Sequence, residues 1–118
     1  MISAKIIQLL REHNGIHTCD RRSTRVELQT RFPNLSFEPG FEEVDPLWQP
    51  NHRETELELC SRLQNCLDDI FENDHNRMIS LTAHSGAIRG ILSVIKHRPY
   101  ALNTGGLIPL LVKAEEIL

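Results

Sequence analysis

The stretch Met78-Ile79-Ser80-Leu81-Thr82-Ala83-His84-Ser85-Gly86-Ala87-Ile88-Arg89 decides the fold class. Its first six residues are short and mostly apolar, the pattern of a strand buried in a parallel sheet. From Ser85 onward Ile88, Ile91, Leu92 and Ile95 share one helical face, so a helix opens at the strand's end and stops before Pro99. In open α/β sheets, ligands bind beyond the carboxyl ends of the strands. His84 ends the strand here, and Ser85 and Gly86 open the helix, whose free amides and partial positive charge suit a phosphate. Gly86 lets a ligand approach the backbone closely. A histidine at this point either donates to a phosphoryl oxygen and carries a proton, or simply terminates a buried strand.

Upstream, a helix is predicted over 52–72, with Asn51 and Glu54 at capping-box spacing. Leu57, Cys60, Leu63, Leu67, Ile70 and Phe71 fall on one face, which makes Cys60 a buried small hydrophobe and puts Cys66 at the flank. Downstream, Leu107 to Ala114 reads as a last strand, at an edge because Pro109 cannot donate to a ladder. Nearer the start, residues 5–10 form a short apolar run that fits strand or helix. Gly15 breaks it, 16–22 reads as a polar loop, and a short helix follows from Ser23, its cap, to Arg31. Pro39-Gly40 marks a turn, and 41–50 reads as an ordered loop around Trp48. Helix–strand–helix–strand order implies a parallel α/β arrangement in one domain over 1–118. Two or three strands make a poor sheet, and an unpaired edge opens a route to self-association.

The bulk numbers bound the partners. The chain has 118 residues, 40% hydrophobic, with a net charge of −3, enough for one small domain. Mild acidity with scattered Lys and Arg argues against a nucleic-acid binder. Cys19, Cys60 and Cys66 are an odd count without a CxxC pair, which fits a reducing cytosolic or nuclear setting. The opening apolar run is too short for a signal peptide, and no run approaches the ~20 residues that span a bilayer. A soluble intracellular protein with no membrane partner is expected. His17 and Cys19 have no downstream partners to complete a metal site, so neither metal nor cofactor is expected. His13, His52, His75 and His97 lie in polar stretches and are expected to be solvated.

Residues 84–89, His-Ser-Gly-Ala-Ile-Arg, resemble the second-histidine motif of the histidine phosphatase superfamily, the phosphoglycerate-mutase-like enzymes. The likeness is to the fungal and plant mutase-like branch. It is carried by the ordered series Leu10-Arg11-Glu12-His13-Asn14-Gly15-Ile16-His17-Thr18-Cys19-Asp20-Arg21-Arg22-Ser23, then Phe32-Pro33, Trp48, Arg53-Glu54-Thr55 and Thr82-Ala83-His84-Ser85-Gly86. It runs from about Leu9 to Ala114. The resemblance implies the C-terminal portion of a three-layer α/β/α fold whose N-terminal strands are missing. By position, His84 matches the histidine that contacts the transferring phosphoryl group. Glu12 matches the acid that protonates the leaving oxygen, a role requiring a raised pKa. Glu43 is a weaker competitor. Arg21 and Arg22 could pair with a substrate anion or brace their loop, and the brace is favoured; Ser85 and Gly86 would line the phosphate. Arg89 is expected to brace its helix.

In the same family the nucleophile is a histidine within Arg-His-Gly, and a Ser-Pro-Leu-x-Arg-like motif supplies a further arginine. This sequence contains neither. The expectation is therefore the C-terminal half of a phosphatase, more than a mutase, acting on a small phosphoester through a phosphohistidine. The chain alone is expected to be inactive. The alternative is a non-catalytic remnant that binds phosphate or a protein partner.

Overall fold

The computed structural model describes residues 4–117; Met1 to Ser3 of the opening read for a leader lie outside them. Two strands of two residues each, β1 (Lys5–Ile6) and β2 (Ser36–Phe37), pair in parallel with Lys5 opposite Ser36 and Ile6 opposite Phe37. The crossover between them carries two single 3₁₀ turns, Gln8–Leu10 and Thr18–Asp20, and helix α1 (Arg25–Arg31). Helices α2 (Glu56–Asn73) and α3 (Ser85–Val94) follow. The result is a small α/β domain, in keeping with the expected class. Among the described residues, no helix is long and apolar enough to cross a membrane.

The core is the seam between α2 and α3. Leu59, Leu63, Ala87 and Ile91 are buried in it, with Leu10, Leu67, Ala83 and Val94 packed against them. Full burial of each leucine contributes roughly 1.5–3 kcal/mol. The buried positions of α2 are Leu59, Arg62, Leu63 and Cys66, while Leu57 is 81% exposed. The expected face is therefore rotated, and the two cysteines exchange places: Cys66 is buried and Cys60 only half-buried. Burial pushes the Cys66 thiol up to about 11. Leu59 and Leu63 turn toward α3, which presents small residues there. A Cβ on Gly90 would lie 2.4 Å from Leu63 Cδ1, so the glycine is what lets the helices close at this point.

The start of α2 also differs from expectation. Thr55, not Asn51, is the cap: its hydroxyl accepts from the Glu58 amide at 3.1 Å, and Glu58 Oε2 accepts from the Thr55 amide at 3.0 Å. Glu54 is drawn elsewhere, as described below. For α1 the cap is Thr24, one residue beyond the expected Ser23, with Glu27 completing the box.

Both strands predicted in the second half are absent. Residues 78–83 and 107–114 carry no regular structure, with Met78 91%, Leu107 85% and Leu111 104% exposed. The composition suits strands, but a strand exists only by pairing, and the described residues offer no sheet beyond the two-residue β1–β2 ladder. The expected edge role of Pro109 falls with its strand.

Candidate functional site

The start of α3 is the meeting point of the distant parts of the chain. His84 is its N-cap residue, in extended conformation, exposed, with no side-chain capping bond. The free amides of the first turn are met by a carboxylate 74 residues away: Glu12 Oε2 accepts from the Gly86 amide at 2.9 Å. Glu12 Oε1 accepts from the Ala87 amide at 2.7 Å and from the His13 amide at 3.0 Å. A Cβ on Gly86 would lie 2.5 Å from Glu12 Oε1, so only glycine admits the carboxylate this closely. The amides expected to cradle a phosphate thus hold an internal anion, placed where the helix dipole favours negative charge.

This position governs how Glu12 titrates. Partial burial acts to raise its pKa, but hydrogen bonds from Gly86, His13 and Ala87, with the nearby His84 ring, outweigh it and hold the carboxyl below its ordinary range. In the chain as it stands Glu12 is a bound anion, the opposite of the raised pKa a general acid requires.

Glu12 is held by a clamp on its backbone. Arg62, 7% exposed within the apolar stripe of α2, forks onto Glu54 with Nε–Oε2 and Nη2–Oε1 both at 2.8 Å. Its remaining donors reach the carbonyls of Leu9 at 2.7 Å, Arg11 at 2.9 Å and Glu12 at 3.3 Å. Glu54 also accepts from the Asn14 amide at 3.1 Å, its own amide donates to the Asn14 carbonyl at 2.9 Å, and its carbonyl meets His13 Nε2. Burial acts to raise the Glu54 pKa, and the Arg62 guanidinium and Asn14 amide bring it below the ordinary range. His13 is therefore a half-buried member of this cluster rather than a solvated residue.

A second cluster organises the loop ahead of α1. The Asp45 side chain is fully enclosed and accepts from Arg11 Nη1 at 2.5 Å and from the amides of Arg22, Leu47 and Trp48 at 2.9, 2.9 and 3.2 Å. These donors overcome burial and hold its carboxyl far below the usual range. Arg22 lies 4.3 Å over the Phe41 ring and donates to Gln8 Oε1 and to the carbonyls of Ser23, Glu42, Glu43 and Val44. Its guanidinium is committed to the loop. Arg21 is exposed, 5.7 Å over the Trp48 ring. Both line an open depression of about 310 Å³ with Thr18, Ser23 and Thr24, and no described contact joins either to Glu12 or His84. Glu43 accepts from the Val26 amide at 3.1 Å, which makes it a cap for α1. Arg89 pairs with Glu56 across the two helices, 3.1 Å apart. Ser85 is exposed. Among the described residues, no three His, Cys, Asp or Glu side chains are grouped to hold a metal.

With Glu12 and His84 at one helix start, the relatives become informative. The chain is 50% identical over 108 residues to the probable phosphoglycerate mutase of Arthroderma benhamiae, covering 92% of this chain and 32% of that protein. It is 37% identical over 125 residues to the probable phosphoglycerate mutase PMU1 of Saccharomyces cerevisiae, covering 95% of this chain and 42% of that protein. A phosphoglycerate mutase-like protein of Arabidopsis thaliana is 33% identical over 87 residues, 74% of this chain and 32% of that protein. The chain belongs with the phosphoglycerate-mutase-like proteins of fungi and plants. It spans between about a third and two fifths of the length of these relatives. No family model and no solved structure matches it.

In this phosphoglycerate-mutase-like chain, the acid and the histidine named from sequence share one helix start, and the two arginines sit apart from them. Sequence reasoning missed Arg62, Asn14 and Asp45 altogether. One signal was available for Arg62: an arginine at a core position of an otherwise apolar stripe, eight residues after a glutamate.

Proposed function

We propose that the chain carries the second-histidine and acid part of a phosphoryl-transfer site of the histidine phosphatase superfamily, acting on a small phosphoester. The observation that supports this best is the convergence of Glu12 and His84 on the start of α3. His84 would meet the transferring phosphoryl group. Glu12 would deliver its proton to the leaving oxygen as the phosphorus–oxygen bond breaks. An arriving phosphoryl dianion competes for the Gly86 and Ala87 amides and raises the carboxyl pKa by like-charge repulsion, turning a helix cap into a proton donor. The nucleophilic histidine would take the phosphoryl group, forming a nitrogen–phosphorus bond that water then cleaves. None of the six histidines here lies in an Arg-His-Gly motif, so that residue would come from the part of the fold this chain does not carry. Within this reading the activity proposed is that of a phosphatase more than of a mutase. The three-layer fold, a cytosolic or nuclear setting and self-association through an exposed sheet edge belong to the same reading.

A second reading, a non-catalytic remnant, is favoured by the Glu12 carboxylate already filling the amides. The 118-residue chain should show no phosphohistidine and negligible phosphate release from an aryl phosphate; robust turnover abolished by His84→Ala would defeat the expected inactivity. To test the site itself, this chain replaces the matching third of the Arthroderma relative. Turnover should then vanish with His84→Ala and fall ~10²–10⁴-fold with Glu12→Gln. A chimera indifferent to both substitutions sinks the assignment.

A further inference from the structure

We propose that Arg62, through its fork onto Glu54 and its bonds to the carbonyls of Leu9, Arg11 and Glu12, is a positioning residue that seats the Glu12 carboxylate on the start of α3. The proposal deepens the reading of Glu12 as the acid of the site and rests on it.

Three observations carry it. A buried Arg–Glu pair is on its own no gain over well-packed apolar side chains, so its presence at a core position calls for a further reason. The reason visible here is the backbone of residues 9–14, which runs from the 3₁₀ turn into extended chain and whose inward carbonyls have no ladder to join and would be costly to bury unpaired. Arg62 supplies three of them with donors, and Glu54 fixes the next link through both backbone groups of Asn14. The contacts end on Glu12 itself, within a residue of the bond between His13 Nε2 and the Glu54 carbonyl. The carboxylate therefore meets two amides at 2.9 and 2.7 Å from a loop that has no regular structure to hold it. Lysine could keep the charge but not the planar fork, so geometry and charge are separable.

The charged and titratable groups around Glu12 are His13 on its own segment, His84 and Arg89 on α3, and Arg62 on α2. The experiment follows the Gly86 and Ala87 amide protons by NMR through a pH titration of the 118-residue chain, with Glu12→Gln as the control that identifies the Glu12 transition. Arg62→Lys should move that transition upward and shift both amides upfield, while methyl contacts between Leu63 and Ile91 persist. Glu54→Gln, which keeps its hydrogen-bonding shape, should move it in the same direction by less. An unchanged transition in a folded Arg62→Lys chain overturns the proposal. Loss of the Leu63–Ile91 contacts in both variants also overturns it, because the pair is then a determinant of folding rather than of position. The readout is independent of turnover. An upward shift with an inert chimera would leave the positioning intact and remove the catalytic reading instead.

Discussion

Residues 9–14 and residues 78–83 answer one question in opposite ways: where a backbone outside any sheet or α-helix sends its polar groups. The first segment contains few apolar side chains, yet its carbonyls are gripped by Arg62 and its Asn14 by Glu54. The second is mostly apolar, the better candidate for order by composition, and it lies without regular structure, with Met78, Ile79 and Leu81 exposed. Apolar content alone did not order a segment. Partners for its hydrogen bonds did, because unpaired peptide groups are driven to water whatever their side chains prefer.

The strongest way to break the contrast is Arg62→Ala. It leaves the Glu54 carboxylate buried without its partner and three carbonyls without donors, and should cost about 3–5 kcal/mol. Urea unfolding followed by circular dichroism would measure it, and a loss under about 1 kcal/mol would mean that water replaces the guanidinium freely.

Acid attacks the same region selectively. Asp45, Glu54 and Glu12 all have folded pKa values lowered, outweighing the burial that raises them, through bonds from Arg11, Arg62 and backbone amides. A carboxyl whose pKa is lower folded than unfolded stabilises the fold fully above its unfolded value, about 4, and that stability is lost as pH falls through the lower folded value. The urea midpoint should therefore hold steady above about pH 5 and drop below about pH 4. Amide exchange of Asn14 and Leu47 should quicken there before that of Leu63. Simultaneous loss at all three sites would show that no separate clamp exists.

The two regions also differed in how far they could be read from sequence. The three helices were visible because their periodicity and capping residues are local. The errors at their starts came from competition: Asn51…Glu54 and Thr55…Glu58 both have the spacing of a capping box, and Arg62, eight residues on, removes Glu54 from the contest. That α2 buries Cys66 rather than Cys60 is a tertiary fact: Cys66 lies beside Arg62 and Glu38, on the side of the N-terminal segment, and the half-buried Cys60 lies near Arg89 of α3. Strand formation over 78–83 depends on partners that no local pattern reveals. At the site, the placing of Glu12 at the helix start that His84 caps was legible only through family resemblance. The occupied amides were not, since nothing local to Ser85-Gly86 points to residue 12.

At the C-terminal end of α3 a smaller change sharpens the ordered side. Lys96 has φ 59°, the left-handed region, where the His97 amide closes onto the Leu92 carbonyl at 2.9 Å. Lys96→Gly relieves the Cβ strain at some entropic cost and should stabilise by about 0.5–1 kcal/mol. A rise in the urea midpoint checks it; a fall would mean that the lysine stem contributes packing exceeding its strain.

The smallest expected effect belongs to the unpaired side. Met78 and Leu111 are 91% and 104% exposed, so replacing both with serine removes almost no buried area. Stability should change by less than about 0.5 kcal/mol, the range of ordinary surface substitutions. Self-association is a different matter, since an apolar stretch with free backbone groups is a template for pairing between chains. Sedimentation at rising concentration should show less association in Met78→Ser/Leu111→Ser than in the unaltered chain. Should the double substitution instead lower the urea midpoint as Arg62→Ala does, residues 78–83 and 107–117 would be packed in solution, and the contrast between the two regions would collapse.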